Sequence, residues 1–294
     1  PPLEGDAADA ALRAAAERAA ALLGAVAAAA DPPRLYLSGG RDSRMTLAAL
    51  VAALGPRIGE LVCETLVNAA ALDLHLARQA AAAAGARHLA VPVRPSSREE
   101  VAAWLRRAGW SMYDPVSELA ATAKAEDRRA PVMDGSGAEI LRASNWLPED
   151  AGAPRLTREV LLARSRLPET PAVAREAEAW LAALPPCDAG RALDLAKIDL
   201  IHGCWAGAAA YGHDVETPSL SPVPSRPVYE AALALPPAWK LGEESYRRWM
   251  AHLWPEGLAV PANRAAGLDR LRFLGTELKR LVPPGLKRRL KPYR

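Results

Sequence analysis

The sequence predicts an α/β fold: a parallel sheet with flanking helices, followed by a mostly helical C-terminal half. Three observations predict it. Short β-favouring runs, RLYL at 34–37, ELVCETLV at 60–67 and RHLAVPV at 87–93, alternate with longer stretches of helical character. A glycine-rich string, SGGRDS at 38–43, lies directly between the first run and the helical stretch after it. Beyond Trp146 the alternation stops and helical segments separated by proline-rich turns take over. Strands joined through helices of this length pair in parallel by right-handed crossovers.

Each element follows from local chemistry. Residues 6–30 are apolar with interspersed Arg and Glu, a helix that Asp31-Pro32-Pro33 stops. RLYL is the first strand, and SRMTLAALVAAL resumes a helical pattern closed by Gly55-Pro56. ELVCETLV is the second strand, AALDLHLARQAAAAAG a helix closed by Gly85, and RHLAVPV the third strand. A helical stretch from Ser97 to Arg129, broken near Gly109 and Asp114-Pro115, leads to APVMDG, the fourth strand. The composition changes near residue 150, and no internal repeat is present.

Composition bounds the function only loosely. Half of the 294 residues are hydrophobic and 24% are charged, an ordinary globular balance. A net charge of +3 is too small to argue for nucleic acid. The charge is unevenly spread: from Arg270 onward nine Lys and Arg face a single acid, Glu277. That tail either binds an anionic partner or docks its leucines and leaves its charges solvated. Cys63, Cys187 and Cys204 are odd in number and widely spaced, which predicts neither disulfides nor a CxxC metal site and points to a reducing cytoplasmic setting. The five histidines lack ligand spacing. AAALLGAVAAAA is too short for a bilayer span, so integral membrane association is not expected. The chain opens Pro-Pro without methionine, which leaves room for domains upstream.

The loop SGGRDS carries the chemistry. Parallel sheets bind ligands where a strand's carboxyl end feeds a helix. Glycines let backbone N–H groups crowd an anion there, and the helix N-terminus favours negative charge, so phosphate is the natural guest. Ser38, Gly39, Gly40 and Ser43 are the predicted donors. Asp42 conflicts with bare phosphate unless Mg2+ bridges the two. The string matches neither GxxxxGK[ST] nor GxGxxG. The competing reading is an ordinary glycine turn in which Asp42 or Ser43 caps a helix.

LSGGRDS resembles the PP-loop of ATP pyrophosphatases. VMDGSGAEILRA is similar to the segment SGDGADELF of asparagine synthetases: Gly135, Gly137 and Ala138 match it, Glu139 stands at an aspartate, and Ser136 replaces an acid. DVETPSLSPVPSRPVYEAALALPPAWK also resembles a passage of that group. The chain thus looks like an asparagine-synthetase-like domain over residues 7–268, in the amide-forming group that includes β-lactam synthetases and lasso-peptide cyclases.

The resemblance implies a nucleotide-binding core at 1–150, a helical part of the synthetase domain at 151–268 and a basic tail at 269–294. It implies ATP and Mg2+ as cofactors and adenylation of a substrate carboxylate, with pyrophosphate released and an amine then displacing AMP. Pyrophosphate is assigned to Ser38, Gly39, Gly40 and Ser43, beside the second loop with Gly135 and Gly137. Mg2+ is assigned to Asp42 and Glu139. The adenine edge falls near Leu37 and 63–65, Thr65 included.

No nucleophilic cysteine of a glutaminase half lies upstream of the loop, so the nitrogen comes from a substrate amine, free ammonia or a separate domain. A separate glutaminase or leader-binding partner is compatible with this. The lysine that steadies the transition state in amide-forming relatives falls in register on Glu243, leaving Lys240 and Arg247 as the cations to replace it. Arg41 is expected at a phosphate or in solvent, and Arg142 at a substrate carboxylate or in a surface salt bridge. Two alternatives accompany the synthetase reading: an ATP-binding partner subunit with impaired catalysis, and a tRNA-modifying PP-loop enzyme.

Overall fold

A computed structural model describes residues 2–67, 71–92, 96–110, 131–208, 219–221 and 223–274. The break at Asp114-Pro115, His213 and the basic tail from 275 onward lie outside the described residues.

The fold is α/β and mostly helical. Five strands, β1 (Arg34–Tyr36), β2 (Val62–Leu66), β3 (Arg87–Val91), β4 (Val132–Met133) and β5 (Ser219–Leu220), form one sheet in the order β3-β2-β1-β4-β5. Every pairing is parallel. Strand β1 is central: Leu35 lies opposite Cys63 of β2 on one side and Met133 of β4 on the other. Its carboxyl end therefore opens in the middle of the sheet, where the loop 38–43 begins. Four strands fall within the predicted runs. Strand β5 is supplied by the C-terminal half and was not expected there. Two residues carry no alternation of their own, and they become a strand only because β4 offers an unpaired edge.

Helix α1 (Gly5–Ala28) buries Ala8, Leu12, Ala15, Ala16, Ala19, Ala20, Leu23 and Ala27, a stripe at three- and four-residue spacing. The small residues allow close approach to α2 (Arg41–Leu54): a Cβ added at Gly24 would stand 3.1 Å from the Ala53 Cβ. Helices α3 (Ala71–Ala84) and α4 (Arg98–Arg107) follow β2 and β3, and Ser97 and Glu100 close a capping box at the start of α4. Beyond residue 150 come α5 (Arg158–Ser165), α6 (Pro171–Ala183) and α7 (Ala189–Ala196), the last continuing into a π-helical stretch, Lys197–Ala206. Helices α8 (Arg226–Ala234), α9 (Pro237–Leu241), α10 (Glu244–Leu253) and α11 (Asp269–Arg272) complete the described chain.

One hydrophobic core joins both halves. Leu12, Leu23, Leu47 and Leu50 of α1 and α2 and Leu35 and Met133 of the sheet are in the same buried cluster as Val228, Ala232, Trp249, Met250 and Trp254. A smaller cluster holds Leu161, Leu162, Ala177 and Ala196. Among the described residues no helix is long and apolar enough to cross a membrane.

Candidate functional site

The loop 38–43 leaves β1 and runs straight into α2, whose N-cap is Gly40 and whose first turn has no side-chain cap. Its amides have partners inside the protein. Gly39 N–H donates to Asp73 Oδ1 at 2.8 Å, Gly40 N–H to Ser38 Oγ at 3.1 Å and Ser38 N–H to Ser43 Oγ at 3.1 Å. The hydroxyls of Ser38 and Ser43 are themselves 3.0 Å apart. Asn263 N–H donates to the Gly39 carbonyl at 2.8 Å, tying the C-terminal segment over the loop. Glycine is required at 39 by close packing, since a Cβ there would meet the Leu76 Cβ at 2.9 Å and Asp73 Oδ1 at 3.0 Å.

The second loop, 134–142, packs directly on the first. A Cβ at Gly135 would stand 2.5 Å from the Ser43 amide nitrogen and 2.8 Å from the Asp42 carbonyl carbon. Gly137 has φ +88°, and a Cβ there would strike the Pro224 ring. Asp134 caps the turn, accepting from the Ser136 amide at 2.8 Å and the Ser221 hydroxyl at 2.6 Å.

Charged side chains cross between the two loops. Arg142 grips Asp42 with both ends of its fork, Nε to Oδ1 at 2.9 Å and Nη2 to Oδ2 at 2.6 Å. Arg142 is thus in a part-buried salt bridge between the two loops. Arg41 pairs with Glu243 at 2.7 Å and lies 5.7 Å from the centre of the Tyr246 ring, so it meets an acid of the protein rather than open solvent. Glu243 reaches it from a left-handed residue, φ 64°, at the start of α10.

Glu139 has other company. Oε2 accepts from Gly137 N–H at 2.8 Å, while Oε1 lies 3.1 Å from His202 Nε2 and 3.7 Å from Lys197 Nζ. Burial pushes its pKa up, but the His202 hydrogen bond, a backbone N–H and the charges of His202 and Lys197 outweigh burial and hold it at about 2. A carboxylate can only accept, so His202 donates to Glu139 from Nε2, while its Nδ1 lies 2.6 Å from the Tyr229 hydroxyl. Burial and the Glu139 charge push the Tyr229 phenol above its ordinary pKa.

The expected metal ligands Asp42 and Glu139 thus each face cations: Arg142 holds both oxygens of one, and His202 and Lys197 flank the other. Among the described residues no group of three or more His, Cys, Asp or Glu is gathered to hold a metal ion. Leu37 is buried, its N–H bonded to the Glu64 carbonyl at 2.8 Å. Its carbonyl accepts from Thr65 Oγ1 at 2.6 Å, and the Thr65 hydroxyl also meets His88 Nε2 at 3.0 Å, so the edge expected to read adenine is bonded internally.

Of the two expected replacement cations, Lys240 is spent inside the protein. Lys240 is 3% exposed. Its ammonium is held by Asp194 and the Ala232 carbonyl and lies 5.1 Å from the centre of the Trp146 ring. A cation enclosed by its own carboxylate has no spare charge for a ligand. Arg247 lies on α10, its side chain 62% exposed and 4.0 Å from the Glu244 carboxylate.

Sequence reasoning missed Arg44. It is fully buried on α2, Nη1 donating to the Val260 carbonyl at 2.7 Å and Nη2 to the Leu76 carbonyl at 3.2 Å. Burial lowers its pKa. It clamps α3 and the 260 segment to the start of α2, behind the loop. Its only signal in the sequence is an arginine inside an otherwise apolar helical run.

Comparisons with protein-family models and with curated proteins return no match for this chain.

Proposed function

We propose that the chain is an ATP-using, AMP-forming ligase domain of the asparagine-synthetase-like kind, with the loop 38–43 as its PP-loop and pyrophosphate site. The observation that carries this reading is positional. The serine- and glycine-rich loop leaves the carboxyl end of the central strand, enters an uncapped helix N-terminus, and is packed against a second glycine loop at the carboxyl end of β4. Helix dipole and loop amides both favour an anion there. On binding, the Gly39 and Gly40 N–H groups exchange Asp73 and Ser38 for phosphate oxygens, with Arg41 and Arg142 at the rim. The substrates are a small-molecule or peptide carboxylate and an amine. A glutaminase or leader-binding partner is compatible with this reading.

Magnesium, which such a reaction employs to neutralise the phosphates, does not fit the residues first assigned to it. Both oxygens of Asp42 accept from Arg142, and Glu139 is flanked by Lys197 and His202.

A second reading, an ATP-binding partner subunit without full catalysis, is favoured by one specific observation. The register that holds a lysine in amide-forming relatives presents a carboxylate, Glu243, to the loop, while Lys240 is enclosed. Loss of one charge-stabilising donor costs about 3–4 kcal/mol of transition-state stabilisation.

ATP–pyrophosphate exchange over a panel of amino acids and peptides, run beside calorimetric ATP binding, separates the two. Carboxylate-dependent exchange is expected for the ligase. Binding without exchange would favour the partner subunit, and absence of both would remove the loop from nucleotide chemistry.

A further inference from the structure

The mismatch between the loop and magnesium has a counterpart in the arginines around it. Magnesium binds carboxylates that have lone pairs to give. Asp42 gives both of its oxygens to one guanidinium, in the two-point geometry that arginine forms with carboxylates and phosphates alike. Glu139 accepts from Gly137 N–H and His202 Nε2 and has the Lys197 ammonium 3.7 Å away. The start of α2 adds partial positive charge, which opposes a divalent cation and favours an anion. Arg142 and Arg41, in contrast, are accessible, with side chains 35% and 24% exposed, and among the described residues Arg142 is ion-paired with Asp42 and Arg41 with Glu243. Exchanging the partly solvated Arg41–Glu243 pair for an arginine–phosphate pair costs little.

From this arrangement we infer that a phosphate-bearing ligand is held at this loop without a divalent ion: Arg142 keeps Asp42 on Nε and Nη2 and offers its Nη1–Nη2 edge to the incoming oxygens, Arg41 turns to them from Glu243, and the two arginines supply the countercharge. The inference rests on the reading of 38–43 as a phosphate site, and its test keeps the two apart.

The test is calorimetric titration of the full chain with inorganic pyrophosphate, in EDTA and then in excess Mg2+. Binding in EDTA is expected, with an affinity no weaker than in Mg2+. Arg142→Gln, with its fold checked by thermal melting, loses a charge-assisted two-point contact and should weaken binding roughly tenfold to a hundredfold. Arg41→Gln should weaken it in the same direction, which keeps the test alive if the first variant does not fold. Asp42→Asn removes the competing acid and should bind as tightly as the parent or tighter. Binding that requires Mg2+ and disappears in Asp42→Asn overturns the inference while leaving the loop a phosphate site. No binding of pyrophosphate with or without Mg2+ overturns both.

Discussion

Replacing Lys240 by methionine tests whether its charge serves the fold or the reaction. The ammonium and the Asp194 carboxylate are both buried, their side chains 1% and 6% exposed, and the carboxylate also accepts from the Trp146 indole N–H at 3.1 Å. Methionine nearly conserves volume, so the loss is electrostatic: a carboxylate is left in a site built for a pair. Breaking a buried pair in this way costs about 3–5 kcal/mol, against a total of about 5–15 kcal/mol for a natural domain.

Burial already raises the Asp194 pKa to about 6, above its ordinary carboxylate value, with Lys240 pulling it down. Without Lys240 it rises further. A folded-state pKa above the unfolded one means that stability is lost as pH rises through the folded value. The Lys240→Met deficit is therefore larger at pH 8 than at pH 5. Urea unfolding followed by tryptophan fluorescence measures it. The double variant Lys240→Met/Asp194→Leu should recover most of the loss and still bind pyrophosphate. A deficit below about 1 kcal/mol, or one independent of pH, would refute the enclosed pair. A stable double variant that no longer binds pyrophosphate would return Lys240 to the ligand site.

Two further outcomes follow from the loops. Glu139 has a folded-state pKa of about 2 against an ordinary 4.5, so its contribution is present above pH 4.5 and is lost as pH falls through about 2. That difference corresponds to roughly 3 kcal/mol. Urea midpoints compared between pH 5.5 and 2.5 should fall less steeply in Glu139→Gln than in the parent, and equal slopes would contradict the pairing with His202 and Lys197. Gly135→Ala forces a methyl group onto the backbone of Ser43 and Asp42, which has no side-chain freedom with which to yield. It should cost about 1–3 kcal/mol and weaken pyrophosphate binding, as read by thermal melting and calorimetry. An alanine variant of parental stability would show that the two loops do not touch as described.

How much was legible from the chain depended on whether the determining contacts were local. Strands β1 to β4 could be read because each is an apolar run bounded by breakers, and α1 because its alanines and leucines repeat at helical spacing. The glycines of both loops were legible for the same reason: a turn's backbone needs are written in adjacent residues. Strand β5 was not, because Ser219 and Leu220 acquire their form from β4. The ion pairs that govern the site were not either. Asp42 and Arg142 are 100 residues apart in sequence, and Glu243 meets Arg41 only because α10 packs on α1 and α2. The amino-acid sequence alone determined the α/β alternation, the loop 38–43 and the close-packed glycines, since these depend on neighbours along the chain. Tertiary structure alone decided which charges face the loop and which are spent inside, turning two expected metal ligands into partners of cations and one expected catalytic lysine into half of a buried pair. Charge pairing between long side chains depends on where packing brings distant helices, and nothing local encodes that distance.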